Sequence, residues 1–220
     1  MVDRHLRTFK RQALAPAASR LAPRLRRRGA LPITALALGV GVGAAAAAAA
    51  GAFAAALVAW LASRVLDGLD GEVARSLDRA DDLGGYVDLL ADYVVYGVVP
   101  IGAAVGATAP WSPLGPDASP WIWPAVAVLL ATYYVNLGSY SVLAALMEKR
   151  GRDARRRAEP TAMVMPAGLV EGFETIVLVT LMLAFPGQLA GWFVLTAVLV
   201  AATAGQRVAW AWRWLRDGVA

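Results

Sequence analysis

Leu31 to Ser63 reads LPITALALGVGVGAAAAAAAGAFAAALVAWLAS, without a single Asp, Glu, Lys, Arg or His. A bilayer core of about 30 Å is crossed by about 20 apolar residues in a helix. This stretch is therefore too long for one pass and long enough for two with a tight turn. Between them the run offers only seven consecutive alanines, Ala44 to Ala50, followed by Gly51 as a candidate hairpin tip. Three further runs, 93–116, 118–147 and 175–206, are equally free of charge. Pro186-Gly187 marks a turn in the last of them.

The rest of the composition agrees with an all-α polytopic membrane protein. Of 220 residues, 59% are hydrophobic and 17% charged, too few charges to cover a water-facing surface. With no cysteine and one histidine (His5), disulfide frameworks, thiolate metal sites and Cys- or His-based nucleophilic catalysis fall away. The glycines of Gly39-Val40-Gly41-Val42-Gly43 do not fit a nucleotide-binding loop, and no strand precedes them. Close helix packing explains them better.

Charge placement gives the number of passes. Twenty-one basic residues oppose 16 acidic ones, for a net charge of +5. The basic residues cluster before residue 30, at Arg64, Arg75 and Arg79, at 149–157, and after residue 206. The Pro-rich stretch 108–119 has none. Cytoplasmic loops carry the excess of Lys and Arg, so one helix over 31–63 would put the second cluster on the wrong side. Two passes keep all four clusters together. The expected layout is six helices, about 31–48, 51–72, 83–107, 119–147, 161–185 and 188–214, with both termini cytoplasmic in a bacterial cell membrane. Residues 1–30 form a separate basic segment ahead of the membrane domain, 31–220. Leu6, Phe9, Leu14, Leu21 and Leu25 among its cations suggest an interfacial amphipathic segment lying on anionic membrane lipids rather than a nucleic-acid arm. Pro16 and Pro23 are expected to confine any helix to the part before Pro16.

The chemistry is concentrated in residues 67–92, DGLDGEVARSLDRADDLGGYVDLLAD. Asp67 and Asp70 stand at i, i+3 and Asp88 and Asp92 at i, i+4, so each pair shares a helix face. The polar stretch Ser76–Leu83 between them implies an antiparallel hairpin that brings the pairs together. Four carboxylates at a membrane interface repel one another and are costly to desolvate. Hard oxygen ligands in this number suit Mg²⁺ or Mn²⁺, and two ions would divide them and form a template for a pyrophosphate. Gly71 and Ala74 leave a bare helix surface beside Asp70, Arg75 can meet phosphate with its planar fork, and Gly84 opens the facing helix. Asp78, Asp81 and Asp82, without periodic partners, read as solvated loop charges.

Taken whole, Asp67-x-x-Asp70-Gly71-x-x-Ala74-Arg75-x8-Gly84-x3-Asp88-x3-Asp92 resembles the signature of the CDP-alcohol phosphatidyltransferase family, with all eight fixed positions at the family spacing. The resemblance implies a six-helix membrane fold with the signature on its second and third helices. It also implies a two-metal site surrounded by Asp67, Asp70, Asp88 and Asp92, with Asp92 also the catalytic base. Gly71, Ala74, Arg75 and Gly84 would line the CDP pocket, and the chain would act as a homodimer. Many members carry P-N-x-x-T near the start of the first membrane helix. Here Leu31-Pro32-Ile33-Thr34 stands without the Asn, leaving Thr34 as a weak candidate for nucleotide contact.

Two features fall outside the signature. Glu171 and Glu174 in GLVEGFETIVLV form an i, i+3 pair placed, on the expected boundaries, two or three turns inside a membrane helix. Such a pair faces the protein interior or a wet cavity, either contacting the acceptor or bonding neighbouring helices. The basic loop Lys149–Arg157 suits lipid headgroups, or a phosphorylated acceptor. The function these observations imply is metal-dependent transfer of a phosphatidyl group from a CDP-linked lipid, foremost CDP-diacylglycerol, to an alcohol, releasing CMP. A CDP-linked small alcohol donating to diacylglycerol is the nearest alternative. A cation transporter is the alternative from another class, against which stand the lack of an internal repeat and the clustering of the four Asp at one interface.

Overall fold

The computed structural model describes residues 2–26, 29–78, 82–114, 119–149 and 168–216, with backbone alone for 2–13 and 149. Among them the order is α1 (Val2–Leu25), α2 (Leu31–Ala49), α3 (Phe53–Ser76), α4 (Asp82–Thr108), α5 (Ile122–Lys149), α6 (Gly172–Ala184) and α7 (Leu189–Arg216), with a short 3₁₀ turn at Pro186–Gln188 between the last two. The chain divides into two compact units, Met1–Ala118 with Val179–Gly187, and Ser119–Leu178 with Gln188–Ala220.

The first unit is built on the hairpin expected at Gly51. Gly51 has φ +77°, its N–H donates to Ala48 O, and the Ala52 N–H donates to Ala47 O. This is the paired bonding that closes a helix end on a left-handed residue. A Cβ on Gly51 would come within 2.9 Å of Pro113 Cδ, and Trp111 Nε1 donates to Ala49 O at 3.4 Å. The Pro-rich loop thus folds over the hairpin tip.

α2 packs against both α3 and α4. Its approach to α4 depends on two glycines one turn apart. A Cβ on Gly102 or Gly106 would lie 2.2 Å from Ala45 O or 1.9 Å from Ala48 O. Of the three glycines in α2, only Gly41 fills the packing role assigned to them, against Val95 and Ser63; Gly39 and Gly43 face open space. α4 continues through Pro100.

α1 corrects an expectation: it runs unbroken through Pro16 and Pro23. Proline removes one backbone bond and crowds the preceding turn. Here the alanine-rich surroundings favour helix, and Ala18, Leu21 and Leu25 bury themselves against Ile33, Leu69 and Val73. That burial offsets the lost bond.

In the second unit α5 packs on α7. Val170, Leu178 and Val200 form a small core with Tyr133 and Leu199. Arg207, nearly buried, reaches from α7 to Asn136 Oδ1 at 2.8 Å and Ser139 Oγ at 3.0 Å on α5. By charge placement Arg64 and Arg207 belong to cytoplasmic clusters, where solvent exposure is the ordinary state of a cation. Both are enclosed instead, because each has acceptors inside the fold.

Among the described residues, four helical segments are long and apolar enough to cross a membrane: Leu31–Ala49, Asp82–Thr108, Ile122–Glu148 and Pro186–Arg216. At 1.5 Å per residue, α3 reaches about 36 Å, but Arg64, Asp67, Asp70, Glu72 and Arg75 break its apolar character. α6, expected over 161–185, begins at Gly172 and spans about 20 Å; residues 161–167 lie outside the described residues. The loop Arg150–Arg157 and Asp81 lie outside them too.

Candidate active site

The site is built on α3 and α4, which α2 braces from one side. Helical spacing puts Trp60, Arg64 and Asp67 on one stripe of α3, and Asp88, Asp92 and Tyr96 on one stripe of α4. The stripes meet through their side chains. Trp60 stands edge-on to Tyr96 with ring centroids 5.5 Å apart, and Trp60 Nε1 donates to Thr180 Oγ1 at 3.1 Å. One turn along, Arg64 Nη1 donates to Asp92 Oδ1 at 2.5 Å and lies 3.8 Å from Asp67 Oδ1.

A further turn along α3, Asp70 is almost completely buried, 3% exposed. Its Oδ2 is enclosed and has no hydrogen-bond donor. Thr34 of α2 lies within hydrogen-bonding reach of the same carboxylate, and Asp67 and Asp88 are close enough to act on it by like-charge repulsion. The hairpin therefore gathers the four predicted acids at one place: Asp67 and Asp92 through Arg64, with Asp67 and Asp88 within electrostatic range of Asp70.

Among the described residues no three acidic side chains form a ready cage for an ion. Asp92 and Asp67 face the Arg64 guanidinium. The donor chemistry nevertheless fits a hard divalent cation. An enclosed carboxylate oxygen without a donor, beside two more carboxylates, is stabilised by positive charge.

The predicted CDP-contacting positions surround this end of α3. A Cβ on Gly71 would lie 3.4 Å from the Arg75 guanidinium, so the bare surface there is roofed by Arg75. Arg75 Nη2 donates to Glu72 Oε1 at 2.8 Å and remains half open to solvent. Ala74 and, across on α4, Gly84 are half-buried. Asp78 takes a positive φ of 52° in the turn after α3, a conformation Asp tolerates better than most residues. It and Asp82 are exposed, as loop charges should be.

Glu171 and Glu174 are displaced from the expected position. Glu171 precedes α6 and Glu174 sits in its first turn. The Glu171 N–H donates to Glu174 Oε2 at 3.0 Å, and the Gly168 N–H donates to Glu171 Oε1 at 3.2 Å. The Glu174 carboxylate caps the preceding N–H as in one half of a capping box, the Glu171 carboxylate binds the segment before the helix, and both stand at the positive end of the helix. Val170 N–H to Thr203 Oγ1 (2.9 Å) and Leu169 N–H to Gln206 Oε1 (3.0 Å) tie the same segment to α7. The pair belongs to the second unit, the four Asp to the first.

Sequence reasoning missed Arg64 as part of the site. It lies three residues before Asp67, one turn away on the same face, and that spacing was the available signal. Its guanidinium sits 4.9 Å from the Trp60 ring centroid and 5.3 Å from that of Tyr96, contacts that contribute about 2 kcal/mol when shielded from water.

Comparison with known proteins follows the same residues. A family model for CDP-alcohol phosphatidyltransferase matches residues 30–204. Inner membrane protein YnjF of Escherichia coli (strain K12) is 34% identical over 138 residues, covering 63% of this chain and 61% of that protein. A CDP-diacylglycerol–serine O-phosphatidyltransferase of Mycobacterium leprae is 34% identical over 143 residues, covering 65% and 42%. The chain thus spans about three fifths of the first relative's length and about two fifths of the second's. The fold matches a phosphatidylinositol phosphate synthase of Mycobacterium tuberculosis solved with CDP-DAG bound, with a TM-score of 0.70, 21% identity, and coverage of 91% of this chain and 94% of that one. The same synthase in complex with manganese and citrate matches with a TM-score of 0.66 at 20% identity, covering 89% and 88%.

Proposed function

The chain belongs to the CDP-alcohol phosphatidyltransferase family, and from that premise we propose that it transfers a phosphatidyl group from CDP-diacylglycerol to an alcohol, releasing CMP. The observation that carries the reading is Asp70 Oδ2, a buried carboxylate oxygen without a donor, at the centre of a complete eight-position signature. Supporting it, a relative of this chain is named for phosphatidyl transfer to serine, and a solved protein of the same fold holds CDP-DAG.

Asp67, Asp70, Asp88 and Asp92 would hold Mg²⁺ or Mn²⁺, in our reading two ions, and the bound metal supplies positive charge against the pyrophosphate. Gly71 and Ala74 offer a surface without bulk on which the CDP moiety lies, with Gly84 opposite. Arg75, half-exposed at its edge, contacts phosphate. Asp92 accepts the proton of the acceptor hydroxyl. The acceptor oxygen forms a bond to the lipid-bearing phosphorus, the bond from that phosphorus to the CMP oxygen breaks, and CMP leaves. Rate acceleration then comes mainly from alignment and fixed charge.

We further propose six membrane passes, α2 to α7, with both termini and the site on the cytoplasmic side, α1 on the lipid surface, and assembly as a homodimer. The basic segment ahead of α2 and the cation-free loop after α4 support that orientation. Purified protein given CDP-diacylglycerol, Mn²⁺ and a panel of alcohols should release CMP with one of them. Ion flux without CMP release would favour a transporter instead.

A further inference from the structure

Arg64 is not one of the eight signature positions, yet it is buried among them. It is 6% exposed. The Trp60 and Tyr96 rings both lie against its guanidinium. Nη2 donates to Ser63 Oγ at 3.1 Å, and the Ser63 hydroxyl in turn donates to Ala37 O of α2 at 2.8 Å. Gly41 leaves room for this arrangement, since a Cβ there would come within 2.9 Å of Ser63 Oγ. A chain of contacts thus runs from the α2 backbone through Ser63 and Arg64 to Asp92 on α4.

We propose that Arg64 is a positioning residue for Asp92: an immobile internal cation that fixes the Asp92 carboxylate by its Oδ1 and holds α4 in register with α3. The inference rests on the phosphatidyl-transfer reading for its catalytic half, and on geometry alone for its electrostatic half. A flexible lysine cannot do the same work. The guanidinium lies against the Trp60–Tyr96 ring pair while its nitrogens donate to Ser63 and Asp92, whereas an ammonium is a point charge on a loose stem.

The arrangement has a cost that distinguishes it from simple packing. A fixed positive charge touching Asp92 and close to Asp67 opposes any cation those carboxylates bind. Removing it lifts that repulsion and frees the Asp67 and Asp92 carboxylates to turn to a cation, so metal binding should tighten while Asp92 loses its fixed position as a base. A residue with a merely structural role would weaken both metal binding and turnover.

The test uses the full-length protein in detergent micelles, with free Mn²⁺ followed by electron paramagnetic resonance and CMP release followed at steady state. For Arg64→Gln, Mn²⁺ should bind at least about threefold more tightly through loss of like-charge repulsion. Its kcat should fall about 100-fold, as misplacement of a reacting group by about 1 Å does, with KM for CDP-diacylglycerol nearly unchanged. Arg64→Lys keeps the charge and loses the fork, so Mn²⁺ affinity should stay close to wild type while kcat drops about tenfold. Weaker Mn²⁺ binding in Arg64→Gln, or wild-type kcat in either variant, overturns the proposal. If Arg64→Gln does not fold, Arg64→Lys decides: a lower kcat at unchanged KM and Mn²⁺ affinity supports it, and a rise in KM alone overturns it. A wild type that releases no CMP, with Arg64→Gln still binding Mn²⁺ more tightly, defeats the transfer reading and leaves the coupling of Arg64 to the carboxylates supported.

Discussion

Gly106→Ala adds one methyl group and should disturb the whole signature hairpin. The new Cβ would sit 1.9 Å from Ala48 O, where Cβ atoms essentially never come closer than 3.0 Å. The obstacle is backbone on a packed helix, so no rotamer change relieves it. α2 and α4 must separate by about 1 Å, and overpacking of this kind costs about 1–3 kcal/mol. At roughly 2–4 °C per kcal/mol for a chain of this size, the melting temperature should fall by several degrees. Because α2 also braces α3, the separation moves Asp88 and Asp92 relative to Asp67 and Asp70, and a shift of about 1 Å at reacting groups costs about 100-fold in rate. Gly43→Ala is the matched control: nothing lies within 4 Å of its added carbon, and a helix interior favours Ala over Gly by about 0.5–1 kcal/mol. Thermal unfolding followed by tryptophan fluorescence, with CMP release from the same preparations, compares the two. Equal melting temperatures for Gly106→Ala and wild type would refute the close α2–α4 crossing.

Glu174→Ala should lower stability by about 1 kcal/mol through loss of the α6 cap. Glu174→Gln, which keeps an oxygen acceptor for the Glu171 N–H, should remain within a few tenths of a kcal/mol of wild type in thermal unfolding; a large loss of turnover in Glu174→Gln with stability intact would instead favour acceptor contact. For topology, single cysteines at Ser112 and Arg155 in this cysteine-free chain should react with an impermeant thiol reagent in intact cells at Ser112 only. The reverse pattern would invert the orientation.

The parts of this architecture that could be read in advance are those where one residue type has one use. The length of the apolar run and the placement of the cations called for two passes, with Gly51 a candidate tip, and the structure bends there with the positive φ that a glycine supplies. The acid pairs were legible because their spacings match the helical turn. What escaped depends on contacts between distant segments. Arg64 reads in sequence as one more cytoplasmic cation, and it is the rings of Trp60 and Tyr96, the Ser63 hydroxyl and the Asp67 and Asp92 carboxylates that make its burial tolerable. Pro16 reads as a break, but docking of α1 on Leu69 and Val73 overrides it. A helix expected from residue 161 puts Glu171 and Glu174 deep inside it, but α6 begins at Gly172, so the two carboxylates stand at a helix start. Gly102 and Gly106 carried a signal that went unused, the small-xxx-small spacing of close helix crossings.

The central claim is that the α3–α4 carboxylates run a metal-dependent transfer of a phosphatidyl group, and CMP release from CDP-diacylglycerol measures it directly. Wild-type protein should release CMP with Mg²⁺ or Mn²⁺ and none in excess EDTA. Asp67→Ala, Asp70→Ala and Asp88→Ala should each be close to inactive, while Asp82→Ala, an exposed charge at the start of α4, keeps full activity. Asp92→Asn preserves the shape of the side chain and cannot take a proton at neutral pH, so it should abolish turnover while CDP-diacylglycerol with Mg²⁺ still raises its melting temperature. Undiminished CMP release in EDTA, or by Asp92→Asn, would contradict the account.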